Sequence, residues 1–296
     1  MFSSVKNREL QQQIINHINH YEMGKLLRQP VPVVRKLSVH LVDHCNLGCA
    51  NCSHFCPLAA AGKNAFILAP ADFERDLARF AELVGPRVQV MELYGGEPLL
   101  HPDVPAILEI ARRHFPDSVI KFITNGILLP AQPESFWIAM RKNAICLEPT
   151  KYPVSVDWES VRKIAARYGV FFRFFANTDA VCKTMYHKPL DFSGLQDPRL
   201  SFHFCSHGNG GCAQLYHGKL YMCPIVAYIK YFNDHFGKNL KVLPEDWLDI
   251  YAPIAAKDVF EFLSRPIPFC RYCDTGRCTV GHPWRRSEKN IKEWSL

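Results

Sequence analysis

Three cysteines spaced Cys45-x3-Cys49-x2-Cys52, with Cys56 close behind, constrain this chain more than any other feature. Three thiols on one short segment can share a metal centre only if the segment is a loop, because the sulfurs must arrive from different directions. The other cysteines are grouped as well. Cys205, Cys212 and Cys223 form one set, Cys270, Cys273 and Cys278 another, and only Cys146 and Cys182 stand alone. Twelve cysteines in 296 residues is well above common usage. In a reducing compartment disulfides are disfavoured, so metal binding or catalysis leads as the explanation for the groups. The two isolated cysteines read as small buried hydrophobes.

The remaining composition is that of a globular protein. Hydrophobic residues make up 48% and charged residues 21%, enough apolar material for a sizeable core. No apolar run approaches the roughly 20 residues of a membrane helix. Residues 1–10 are polar and lack the apolar stretch of a secretory signal. The expectation is a cytoplasmic protein without membrane association. The net charge of +7 is spread along the chain, with Arg285–Arg286 a short basic cluster near the end. That disfavours nucleic acid as a partner, while a modest positive field helps attract a phosphorylated or nucleotide-bearing substrate.

Periodicity organises the chain around the first cysteine group. Residues 4–29 carry a loosely helical apolar stripe that Pro30 and Pro32 end. Leu37, Val39 and Leu41 alternate as in a strand that runs straight into Cys45. Helices are expected from Pro70 to Gly85, around Val104–Ala111, over 133–142 and after a cap at Asp157. Strands are expected at 88–93, 119–123, 144–147 and 170–175. This repeating βα order implies a parallel sheet with right-handed crossovers. Five or six units are too few for a full eight-stranded barrel, so the fold class is α/β, a partial (β/α)6 barrel of the TIM type. Ligands in such folds bind at the C-terminal ends of the strands. Three unusual loops fall there: Cys45–Cys52, Gly95-Gly96-Glu97-Pro98 and Thr124-Asn125-Gly126. Beyond about residue 195 the alternation stops, and one amphipathic helix is expected over 245–263. The division is therefore an N-terminal helical segment (1–35), the partial barrel (36–200) and a small cysteine-rich C-terminal domain (201–296), the candidate Fe–S cluster domain.

Three thiolates can grip three irons of a cubane cluster and leave the fourth iron open to a ligand. A zinc site is the alternative, with Cys56, His44 or His54 as a fourth ligand, because structural zinc wants four. The wider pattern, Cys-x3-Cys-x2-Cys after the first strand and Gly-Gly-Glu-Pro after the second, resembles the radical S-adenosylmethionine (SAM) superfamily. That resemblance implies a [4Fe–4S] cluster on Cys45, Cys49 and Cys52 whose open iron chelates S-adenosyl-L-methionine. It further implies reductive cleavage to a 5′-deoxyadenosyl radical that takes a hydrogen atom from substrate, and a flavodoxin- or ferredoxin-like electron donor. Gly95, Gly96, Glu97 and Pro98 would meet the SAM ammonium, and Thr124 and Asn125 its ribose and carboxylate. The family usually places an aromatic residue just before the third cysteine. Here Asn51 takes that cofactor-facing position, and Phe55 would supply the packing.

The later cysteines, Cys205-x12-Gly218-x4-Cys223 and Cys270-x2-Cys273, resemble the SPASM and twitch extensions of that superfamily. The resemblance implies a second, auxiliary [4Fe–4S] cluster on Cys205, Cys223, Cys270 and Cys273, with Cys212 or Cys278 able to replace Cys205. A zinc ribbon built from Cys212, Cys223, Cys270 and Cys273 is the alternative. Gly208, Gly210, Gly211 and Gly218 suggest a tight hairpin. The layout is similar to that of aminocyclitol dehydrogenases of antibiotic biosynthesis. The expected activity is therefore oxidation or epimerisation of a small molecule (a sugar, cyclitol or nucleotide-sugar), with a thiol such as Cys182 returning a hydrogen atom in an epimerisation. A maturase modifying a ribosomal peptide is the second expectation, weakened because only some 35 residues precede the barrel. A non-catalytic zinc or Fe–S protein is the third.

Overall fold

The computed structural model describes residues 32–175, 182–208 and 211–296. The helix expected over 4–29 lies outside them.

The first half alternates as its periodicity requires. β1 (Val34–His40) leads into the cysteine loop, followed by α1 (Pro70–Val84), β2 (Val88–Tyr94), α2 (Val104–His114), β3 (Val119–Thr124), α3 (Glu134–Lys142), β4 (Cys146–Pro149) and α4 (Trp158–Arg167). The helix ends are fixed by local chemistry. Proline opens α1, where its missing N–H costs nothing. Asp103 and Asp157 cap α2 and α4, accepting from the amides of Ala106 and Ser160. The second half runs β5 (Thr184–His187), α5 (Pro198–His203), β6 (Ala213–Tyr216), β7 (Lys219–Tyr221), α6 (Pro224–Phe236), β8 (Trp247–Asp249), α7 (Ala256–Leu263) and β9 (Thr279–Pro283).

One seven-stranded sheet, in the order β4-β3-β2-β1-β6-β7-β8, spans the molecule. Its first five strands are parallel, and β7 and β8 continue it antiparallel. Beyond β4, Phe172 adds a single parallel bridge to Leu147. The strand expected over 170–175 is thus reduced to one bridge. The sheet also passes residue 200: β6 lies beside β1, with Leu37 opposite Ala213 and Val39 opposite Leu215. β5 and β9 form a separate antiparallel pair.

The amphipathic helix expected over 245–263 is corrected. Trp247–Asp249 is a strand paired with β7, and only Ala256–Leu263 is helical. Pro253 supplies the break, and Lys219 holds Trp247 on the sheet with its ammonium 3.6 Å from the ring centroid. Helix α6 was not anticipated; Pro224 sits in its first turn, directly after Cys223. The hairpin expected among the glycines is β6–β7. It turns at His217 and Gly218, both at positive φ, as a two-residue hairpin of this twist requires. Gly210 lies outside the described residues.

Strand alternation divides the sheet chemically. Leu37, Val39, Met91, Leu93, Ile120, Phe122 and Leu147 belong to one buried apolar cluster with Phe73, Leu77, Phe80 and Val84 of α1 and Ile107, Leu108 and Ala111 of α2. Truncating a fully buried member such as Phe80 to alanine would cost about 3–5 kcal/mol. The alternate positions carry most of the polar strand residues: Lys36, Ser38 and His40 on β1, Glu92 and Tyr94 on β2, Lys121 on β3, Glu148 on β4, and Gln214 and Tyr216 on β6, with Val90 and Ile123 among them. Ion pairs link them across strands: Lys36–Glu92 at 3.3 Å, Lys121–Glu148 at 3.2 Å and Arg173–Glu148 at 2.6 Å. A parallel sheet buried between helix layers would be apolar on both faces. This one keeps a face for chemistry.

Candidate active site

The cysteine loop is locked to its neighbour by backbone. The amide of Gly96 donates to Val42 O at 2.8 Å and that of Glu97 to His44 O at 3.1 Å. A Cβ on Gly95 would stand 2.2 Å from Val42 O, and one on Gly96 1.8 Å from His44 O. The two glycines are therefore required by the contact between the loops that follow β1 and β2.

Glu97 ties in the third loop. Its carboxylate is fully buried and accepts from Thr124 Oγ1 at 2.5 Å, the Asn125 amide at 2.8 Å and the Leu99 amide at 3.0 Å. Burial pushes its carboxyl up to about 7, against the pull of those three donors. Glu97 thus faces protein donors, and neither it nor Pro98 lines the cavity that the loops enclose.

That cavity, of about 440 Å³, is lined by Cys45, Cys49, Cys52, Gly95, Gly96, Thr124 and Asn125, all anticipated from the sequence. It is also lined by Lys36, Glu92, Tyr94, Tyr152, Lys183, Lys188, His207 and Cys212. Asn51, at φ 54°, and the exposed Cys182 are not among its lining residues.

The three thiols carry donors suited to thiolates. The Leu47 amide donates to Cys45 Sγ at 3.4 Å, with Asn125 Nδ2 3.8 Å from the same sulfur, and Trp284 Nε1 donates to Cys49 Sγ at 3.1 Å. Burial raises the Cys45 thiol to about 12 and the Cys49 thiol to about 11. Cys52 is held below its ordinary value, chiefly by a hydrogen bond with Cys56, which is correspondingly held up. Thiols this reluctant to ionise become ligands only when a metal replaces the proton.

The C-terminal segment clasps this loop. Cys49 forms an antiparallel bridge with Arg286; the Ala50 amide donates to Arg285 O and the Ser287 amide to Gly48 O. Trp294 Nε1 donates to Cys52 O at 2.8 Å. The buried Glu293 gathers Arg285, Ser287 and the Glu288 amide behind the clasp.

Cys205, Cys223, Cys270 and Cys273 form a second gathering. Burial raises the Cys223, Cys270 and Cys273 thiols, Cys270 to about 12, and their mutual proximity and that of Cys205 raise them further. The His207 and Gly208 amides both donate to Cys205 Sγ at 3.4 Å. Cys278 faces Cys205 from the edge of this group, whereas Cys212 lines the first cavity beside Lys36 and Glu92. Donor chemistry and burial fit an iron–sulfur group at both places.

Sequence reasoning did not single out Lys36, Glu92, Tyr94, Tyr152, Lys183, Lys188 or Trp284. The signal for the strand residues was present: polar side chains recur at alternate positions of β1 and β2. His54 and Cys56, expected as alternative zinc ligands, belong to a further arrangement. Cys52, His54 and Cys56 place one ligand atom each within 4.8 Å of one another, the one such group among the described residues.

No family model matches the sequence, and no curated protein matches it. No helix among the described residues is long and apolar enough to cross a membrane. Among solved structures, the chain is similar to BtrN in complex with AdoMet and 2-DOIA, with 13% identity and a TM-score of 0.49 over 82% of this chain and 93% of that one. It is similar to Streptococcus suis SuiB bound to precursor peptide SuiA, with 18% identity and a TM-score of 0.38 over 56% and 37% of the two chains. It is also similar to anSMEcpe with bound AdoMet, with 19% identity, a TM-score of 0.37 and 47% of this chain covered, and it spans only 41% of that protein's length.

Proposed function

We propose that the protein is a radical SAM enzyme. In this reading Cys45, Cys49 and Cys52 hold a [4Fe–4S] cluster, and Cys205, Cys223, Cys270 and Cys273 hold an auxiliary one in a small C-terminal domain of the SPASM/twitch kind (201–296). The parallel stretch from Phe172 through β4, β3, β2 and β1 to β6 is read as the partial (β/α)6 barrel. The observation that carries the proposal is convergence: three thiols, two obligatory glycines and Thr124-Asn125 come from the C-terminal ends of three adjacent parallel strands and line one cavity.

When bound, the cluster would supply the electron that cleaves S-adenosyl-L-methionine to a 5′-deoxyadenosyl radical. The chain's own groups set the stage. Gly95 and Gly96 present backbone to the cavity, Asn125 stands between Cys45 and Asn46, and the half-buried Tyr152 hydrogen-bonds with Cys49. Excluding water protects a radical from quenching. The substrate is proposed to be a small molecule (a sugar, cyclitol or nucleotide-sugar) that is oxidised or epimerised in a reducing cytoplasm, with a flavodoxin- or ferredoxin-like protein as electron source. Should a hydrogen atom be returned, Cys212 is the thiol the cavity offers outside the Cys45–Cys56 loop; Cys182 is exposed.

Anaerobically reconstituted protein with dithionite and SAM is expected to form 5′-deoxyadenosine. Replacing Cys45, Cys49 and Cys52 together by alanine should abolish it while leaving the second cluster's visible absorbance. Undiminished 5′-deoxyadenosine in that variant would reject the role given to the loop. A second reading, a non-catalytic zinc protein, is favoured by the close Cys52, His54 and Cys56 group. Zinc without iron or sulfide in anaerobically purified protein would decide for it.

A further inference from the structure

The charged groups of the cavity do not balance. Among the described residues three lysines line it, Lys36, Lys183 and Lys188, against one carboxylate, Glu92. Lys36 is spent on Glu92 at 3.3 Å. Lys183 faces Cys49 and Cys52, where it would offset thiolate charge. Lys188 has no carboxylate within ion-pair distance among the described residues; its ammonium contacts Ser206 Oγ and His207 Nε2, each at 2.8 Å.

The hydrogen-bond inventory at this corner runs one way. An ammonium has three hydrogens and no lone pair, so Ser206 Oγ and His207 Nε2 are both acceptors and one Lys188 hydrogen is left over. With Nε2 accepting, the neutral imidazole carries its hydrogen on Nδ1. That atom is shut off from solvent and has no partner. Ser206, accepting from Lys188, keeps its own hydroxyl hydrogen to give. The Lys188 ammonium and the Ser206 hydroxyl thus each keep one hydrogen for a ligand at the cavity wall, while the Nδ1–H of His207 points away across the ring. Water can accept from both, but an anionic oxygen also offsets the lysine's charge and makes the stronger, charge-assisted bond.

We propose that Lys188 and Ser206, with His207 Nε2 orienting the ammonium, bind an anionic oxygen group of the substrate, a phosphate or a carboxylate. The substrate is then an acidic small molecule and not a neutral sugar or cyclitol. This rests on the reading of the cavity as a substrate site, but not on radical chemistry.

Isothermal titration of the reconstituted protein at fixed ionic strength, with inorganic phosphate and separately with acetate, tests it. At least one anion should bind one-to-one, and the preferred one names the source of the charge. Lys188→Met should weaken that binding about tenfold or more, as loss of a charge-assisted bond implies. Lys188→Arg should retain most of it, and Lys163→Met, an exposed position on α4, should change nothing. Ser206→Ala gives a second reading if Lys188→Met fails to fold, with a smaller loss expected. Failure of both anions to bind, or equal affinity in wild type and the lysine and serine variants, would overturn the subsite. Absence of 5′-deoxyadenosine from the wild type would instead reject the radical reading and leave the titration to stand by itself.

Discussion

At the residue scale the site depends on absent side chains as much as on present ones. Gly96 has no room for even one methyl group, because the backbone oxygen of His44 occupies the place a Cβ would take. A backbone atom cannot rotate away as a side chain can. Gly96→Ala should therefore cost about 1–3 kcal/mol, read as a lower urea midpoint, and should separate the cysteine loop from the second loop. A midpoint equal to that of the wild type would show that the two loops are not held in contact. Both glycines were legible in the sequence as a motif. Their physical reason was not, since it concerns Val42 and His44, more than 50 residues earlier in the chain. Glu97 shows the same limit: it was expected to face the ligand, yet its carboxylate is engaged by Thr124, Asn125 and Leu99 and positions the loops.

At the scale of elements, what the sequence disclosed depended on how local the cause was. Helices α1, α2 and α4 were readable because a proline or aspartate at the start and a periodic apolar face lie within one short stretch. The 245–263 segment misled for the converse reason. Its apolar residues fit a helical period, but Trp247 and Leu248 are claimed by pairing with β7, a tertiary choice that overrides propensity. The clasp formed by 284–294 was equally hidden, because nothing in Trp284 or Trp294 alone announces a partner more than 200 residues away. In the proposed reading its consequence is electronic. Hydrogen bonds to ligating sulfurs raise a cluster's reduction potential, and Trp284 directs its indole N–H at Cys49 Sγ. Trp284→Phe should shift the loop cluster's midpoint potential to more negative values in an EPR-monitored redox titration, while the auxiliary cluster stays where it was. An unchanged potential would mean that the indole only packs.

At the scale of the whole molecule, a single sheet holds two environments. Its apolar face carries the helices and the stability, and its polar face, tied by the ion pairs of Lys36, Glu92, Lys121, Glu148 and Arg173, is left to the cavity. Cysteine spacing marked three residues that line the cavity, and strand alternation placed them at one end of the sheet. Neither revealed that β6, beyond residue 200, closes against β1 and carries Cys212 and His207 to the same cavity from the loop before it. The central claim is that Cys45, Cys49 and Cys52 leave one iron of a cubane open for S-adenosyl-L-methionine. The most direct measurement is the EPR spectrum of dithionite-reduced protein with and without S-adenosyl-L-methionine. The account predicts two [4Fe–4S] signals, one of which changes on addition of the ligand and is lost when the three cysteines are replaced. A spectrum that S-adenosyl-L-methionine leaves untouched, or a protein that carries zinc between those thiols, would contradict it.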